Sequence, residues 1–139
     1  MRFAVVLFLA FVIACGGKTP TTPDTAFLRL TPRVPEPGSP ESVRAEAGQG
    51  QIAVRGTLSG PDPCRTLEGD LDHTDQEVTL RVFIRPSGAD VCVQVIGRFA
   101  YDSVIEGPPR GRYVLQVVDT YPSTGWPTRA VLSQTMDVR

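Results

Sequence analysis

From about Ser42 onward the chain alternates apolar and polar residues with a period of two, the spacing of half-buried strands. Ile52, Val54 and Leu58 alternate with Ala53, Arg55 and Thr57. Val78, Leu80, Val82 and Ile84 then alternate with Thr79, Arg81, Phe83 and Arg85, the clearest strand in the sequence. Val91, Val93 and Val95 predict another strand, and Gly97 marks a bulge before one over 99–105. Tyr113, Leu115 and Val117 predict a further strand, and 129–138 a last one. Turn residues separate these runs: Gly60-Pro61-Asp62-Pro63, Pro86-Ser87-Gly88, Gly107-Pro108-Pro109 and Pro122-Ser123-Thr124-Gly125. Helical periodicity is absent downstream of residue 15. Roughly seven strands in about one hundred residues predict an all-β fold, an antiparallel β-sandwich over 41–139.

The first fifteen residues follow another rule. Met1-Arg2 precede an unbroken apolar run over 3–14, which Cys15 ends. A spanning helix needs about 20 apolar residues, so this run predicts an export signal and not a membrane span. Val12-Ile13-Ala14-Cys15 resembles the lipobox of bacterial lipoproteins. The resemblance implies that 1–14 is a cleaved signal peptide and that Cys15 carries the lipid. It also implies a membrane anchor in the cell envelope. Gly16, where an aspartate is absent, implies the outer membrane. Residues 15–40 then predict a tether, because six of the thirteen prolines fall at positions 20, 23, 32, 35, 37 and 40. Within it, Ala26-Phe27-Leu28-Arg29-Leu30 reads equally as an edge strand or as a sticky stretch of spacer.

Three cysteines are an odd number for an exported chain. With Cys15 assigned to lipid, Cys64 and Cys92 remain as an even pair in an oxidising compartment. They read as a disulfide or as two buried thiols. Charge narrows the partners further. Without Arg2 the basic residues number one fewer than the fourteen of the full chain, against fifteen acids. Such a balance argues against nucleic acid as a ligand.

Ile105-x-Gly107-Pro108-Pro109-x-Gly111-x-Tyr113-x-Leu115-x-Val117 resembles the corner between strands E and F of fibronectin type III and other immunoglobulin-like sandwiches. The resemblance implies an immunoglobulin-like fold whose tyrosine hydroxyl caps backbone at that corner. Cys92 lies well before Tyr113, so a disulfide here is not the bridge of antibody domains. The stretch Cys64–Tyr113, with a cysteine after a Pro-rich turn and a second in the valine-rich Val91-Cys92-Val93-Gln94-Val95, is also similar to a recurrent type of bacterial lipoprotein domain, and that similarity implies no activity.

The remaining candidates are few. Glu68, Asp70 and Asp72 share one face of a strand, with Leu67 and Leu71 on the other, and read as a solvated face and not as a metal site. His73, the only histidine, reads as an exposed turn residue. Gly17-Lys18-Thr19 lacks the glycine that a phosphate-binding loop requires five residues earlier. Tyr121-Pro122-Ser123-Thr124-Gly125-Trp126-Pro127 is the candidate binding loop, through Tyr121 and Trp126; alternatively Trp126 folds back over one end of the sandwich. Pro-Ser-Thr-Gly-Trp also resembles a loop of the chagasin-type cysteine-protease inhibitors, although their partner loops are not found here. No nucleophile–base pair, metal set or cofactor motif is visible. The expectation is a lipid-anchored binding or structural module of the envelope, with an envelope protein as partner and no catalysis. The alternative is an envelope protease inhibitor using Tyr121–Pro127.

Overall fold

The structure, a computed structural model, describes residues 26–139. Eight strands follow one another: β1 (Phe27–Arg33), β2 (Ser42–Ala47), β3 (Gln51–Gly60), β4 (Arg65–His73), β5 (Glu77–Pro86), β6 (Gly97–Glu106), β7 (Gly111–Thr120) and β8 (Arg129–Val138). They form two four-stranded sheets in the orders β1-β6-β3-β2 and β4-β5-β7-β8. The sheets face each other as a β-sandwich. The period-two positions supply the space between them: Ile52, Val54 and Leu58 from β3, Val78, Leu80, Val82 and Ile84 from β5, Leu115 and Val117 from β7. All are essentially removed from solvent, and each contributes about 1.5–3 kcal/mol relative to exposure.

Three expectations change. Residues 27–33 form a full edge strand paired with β6, so the sandwich begins inside the segment read as a 15–40 tether. Pro32 is tolerated there because an edge strand has one side free of ladder bonds. The run Val91–Val95 is not a strand: it lies in the 87–96 crossover from β5 to β6, and Val91, Val93, Val95 and Ile96 are exposed. Alternation alone did not make a strand because Cys92 is covalently held to Cys64, and this segment must span the gap between the sheets. Finally, β5 lies between β4 and β7 and runs parallel to β7, the one parallel pair among the described residues. With the separate strand β2, the count becomes eight.

The tyrosine corner is present. Tyr113 donates its hydroxyl to the Pro109 carbonyl at 2.8 Å, bracing the 107–110 turn between β6 and β7. The Cys64–Cys92 disulfide is formed, with Cα atoms 5.8 Å apart. It ties the β3–β4 crossover to the β5–β6 crossover. Asp62 supports the same point: Oδ1 accepts from the Cys64 N–H at 3.1 Å, and Oδ2 accepts from Arg65 Nε and Nη2 at 2.8 and 2.7 Å. Gly97 lets the two crossovers meet, since a Cβ there would lie 2.3 Å from the Asp62 carbonyl oxygen. Gly56 has a similar duty. It pairs with Tyr101, whose ring lies across it, and a Cβ would fall 2.3 Å from the ring carbon Cζ.

Two substitutions test this frame. Replacing both Cys64 and Cys92 by alanine opens a loop of separation 28 and lowers unfolding stability by about 3–4 kcal/mol in urea titration. Gly56→Ala forces the Tyr101 ring aside and costs about 1–3 kcal/mol by the same measurement.

Candidate functional site

Register decides which loops share an end. Phe27 pairs with Glu106, and Arg33 pairs with Ala100. The chain therefore enters the sheet at the end where β6 finishes. Gly60 pairs with Gly97 and Arg65 with Pro86, so the crossovers 61–64 and 87–96 sit together at the opposite end. The β5–β7 register, Phe83 with Thr120, brings the 121–128 loop to that far end as well. The 34–41 connection lies there too, because Ser42 pairs with Thr57 near the end of β3. Sandwiches present ligand-binding loops at their ends, and this end carries four of them.

The 34–41 segment is not free spacer. It crosses the outer face of its sheet at the far end, between the β1 and β2 edges. Arg98 Nη2 donates to the Ser39 carbonyl, and Thr57 Oγ1 donates to the Pro40 carbonyl at 2.9 Å. Glu41 then stitches the two sheets: Oε1 accepts the Ser59 N–H at 2.9 Å and Oε2 accepts from Arg129 Nη2 at 3.2 Å. These bonds, the Ser59 one foremost, hold the Glu41 carboxyl below its ordinary pKa.

The candidate loop is folded onto the core. Tyr121 is 4% exposed, and its ring lies 5.3 Å from that of Trp126, tilted by 54°. Trp126 is half-buried against the core cluster. Thr124 Oγ1 donates to the Tyr121 carbonyl at 2.9 Å and accepts the Trp126 N–H at 3.0 Å, which closes the loop on itself. Ser123 at its tip adopts φ 60°, a left-handed conformation. What the loop shows to solvent is Ser123, Gly125 and Pro127, with the aromatic pair behind.

Beside that loop, sequence reading missed a buried polar cluster in the seam between β2 and β8. Asp119 occupies an inward position of β7 in the register Tyr113, Leu115, Val117, Asp119, and is 2% exposed. Its Oδ1 has no hydrogen-bond partner among the described residues. The same holds for the hydroxyl of Tyr101, which is 0% exposed. Burial raises the Asp119 carboxyl from 3.8 to about 6, with Arg129 opposing the shift and Glu41 adding to it. Burial, and the nearby Asp119 charge, push the Tyr101 hydroxyl up as well. Arg129 stands opposite Asp119 in the β7–β8 register, but its guanidinium is engaged elsewhere, by Glu41 and by the Tyr121 hydroxyl at 3.2 Å. The register slips between Val117 and Val118, leaving Val131 without a ladder partner. Such a bulge bends its strand. Here it lies where a groove of about 260 Å³ opens, lined by Asp119, Glu41, Arg129, Ser42, Thr57 and Val131 among others. The only advance signal was an aspartate at the apolar phase of a strand.

The other candidates resolve simply. Glu68, Asp70 and Asp72 lie on the outer face of β4 and pair with Arg85 and Arg81 of β5, the Arg85–Glu68 contact being 2.7 Å. This is the solvated ladder expected, and exposed pairs of this kind contribute about 0–1 kcal/mol. His73 is half-buried and not an exposed turn residue: it ends β4 with its ring 5.8 Å from that of Tyr113, because its register position faces inward. Asp62 lies within reach of both Cys64 and Cys92, but the two sulfurs are bonded to each other and not available as metal ligands. Cys15 lies outside the described residues. No protein-family model, curated protein or solved structure matches the chain.

A carboxyl whose pKa rises on folding keeps its proton where the unfolded chain has lost it. Asp119 therefore favours the fold below about pH 4, and that contribution is lost as pH rises through about 6. Glu41 acts with the opposite sign, so the comparison with an isosteric variant isolates Asp119. Relative to the parent, Asp119→Asn gains up to about 3 kcal/mol of unfolding stability between pH ~4 and ~7.5 in urea titrations. A difference independent of pH contradicts the assignment.

Proposed function

We propose that this chain is a lipid-anchored protein of the bacterial cell envelope whose β-sandwich is a non-catalytic binding module. Lipid on Cys15 holds it at the membrane, on the outer membrane where Gly16 directs it. The observation that supports a binding role best is the polarity of the domain. The chain enters at one end, while Val34, Val91, Val93, Val95 and Ile96, between 57% and 89% exposed, gather on the loops of the other. Exposed apolar residues in a contiguous group mark a contact surface more often than a bare surface. Cys92 sits among four of them, so the disulfide presents the segment in a restricted set of conformations and lowers the ordering cost of an encounter. The tether separates that end from the bilayer, facing an envelope protein and not the lipid.

Two measurements test this reading. Intact-protein mass spectrometry of the full chain from a lipoprotein-processing host finds acyl chains at Cys15, and Cys15→Ser moves the protein to the soluble fraction. A Cys15→Ser protein that stays in membranes refutes the anchor. A photo-crosslinking amino acid at Val93 captures a discrete envelope protein in whole cells, whereas the same group at Asp75, exposed at the opposite end, does not. Equal capture at both positions refutes the loop end as the binding surface.

A further inference from the structure

We propose that the groove between β2 and β8 is a binding site for a small primary alkylammonium ion, held by Asp119. Among the described residues two carboxylates, Glu41 and Asp119, share this seam with one cation, Arg129. Arg129 is committed to Glu41 and to Tyr121, which leaves an acceptor on Asp119 that is buried and unpaired. A buried polar atom in that state costs free energy until a donor reaches it. An ammonium supplies both the N–H groups and the missing positive charge. The walls select the rest of the ligand. Val43, Ala130 and Val131 line the groove and accept an alkyl chain, and a volume near 260 Å³ holds an amine of a few carbons. Glu41 and Arg129 at the rim, Tyr121 under the loop and Tyr101 from the facing sheet are the titratable and charged groups around Asp119. The site differs from the apolar loop surface and does not depend on it.

The probe is butylammonium chloride, titrated into the 26–139 domain within the full-length Cys15→Ser chain and followed by amide chemical shifts of Ser42, Thr57 and Ala130. At pH about 7.5 these shifts saturate with ligand, and binding is weaker by roughly thirtyfold at pH about 4.5, where Asp119 carries its own proton. Tetramethylammonium, which has the charge and no N–H, gives no saturable shift at matched ionic strength. Asp119→Asn abolishes the response, with its fold checked by dispersed spectra. If that variant does not fold, the pH comparison and the tetramethylammonium control on the parent decide the matter alone. The proposal is overturned by an unchanged response in Asp119→Asn, by equal binding at the two pH values, or by no saturation at concentrations up to roughly 50 mM.

Discussion

Two crossovers carry the chain between sheets at the same end, and the rest of the architecture follows from their being pinned together. The 61–64 turn delivers β4 to the second sheet and the 87–96 segment returns β6 to the first. The Cys64–Cys92 bridge, the Asp62–Arg65 pair and the bare backbone of Gly97 hold these two segments in contact. With both fixed, β5 has a partner on one side in β4 and an open edge on the other. β7 fills that edge, and because both strands run toward the pinned end the pair is parallel. The loops that follow, including Tyr121–Pro127, then arrive beside the bridge.

This geometry separates the molecule into a quiet end and a loaded one. The end where the chain enters has a hairpin over 48–50, a turn over 74–76 and the corner braced by Tyr113. The far end has the disulfide, the exposed valines, the folded Trp126 loop and the seam in which Asp119 lies. The polar cluster survives there because the seam is incomplete. β2 is six residues long and β8 carries the bulge at Val131, and the groove that Asp119 lines opens between these two edges.

Much of the fold was legible in the sequence because burial on one face of a sheet imposes a period of two. That rule located β3, β5 and β7, the resemblance of 105–117 to immunoglobulin-like sandwiches implied the tyrosine corner, and the odd cysteine count pointed to the Cys64–Cys92 pair. It failed at Val91–Val95, where the same alternation belongs to a segment stretched between sheets and left in solvent. It also left Phe27–Leu30 undecided, since an edge strand among prolines lacks the flanking signals of a central one. Asp119 was invisible for a different reason. A single acid at an inward phase reads as noise until the three-dimensional seam shows its Oδ1 without a partner among the described residues and Arg129 engaged by Glu41 and Tyr121.

The parallel pair also bears on the order of assembly. β5 and β7 cannot be joined by a hairpin, and β6 must leave for the opposite sheet before β7 can lie beside β5. The second sheet is thus completed by distant segments of the chain, a kind of pairing that slows folding. Until then the apolar edge of β5 stands open. Such a chain reaches its native state late, and oxidation of Cys64 with Cys92 before β7 arrives shortens the search that remains.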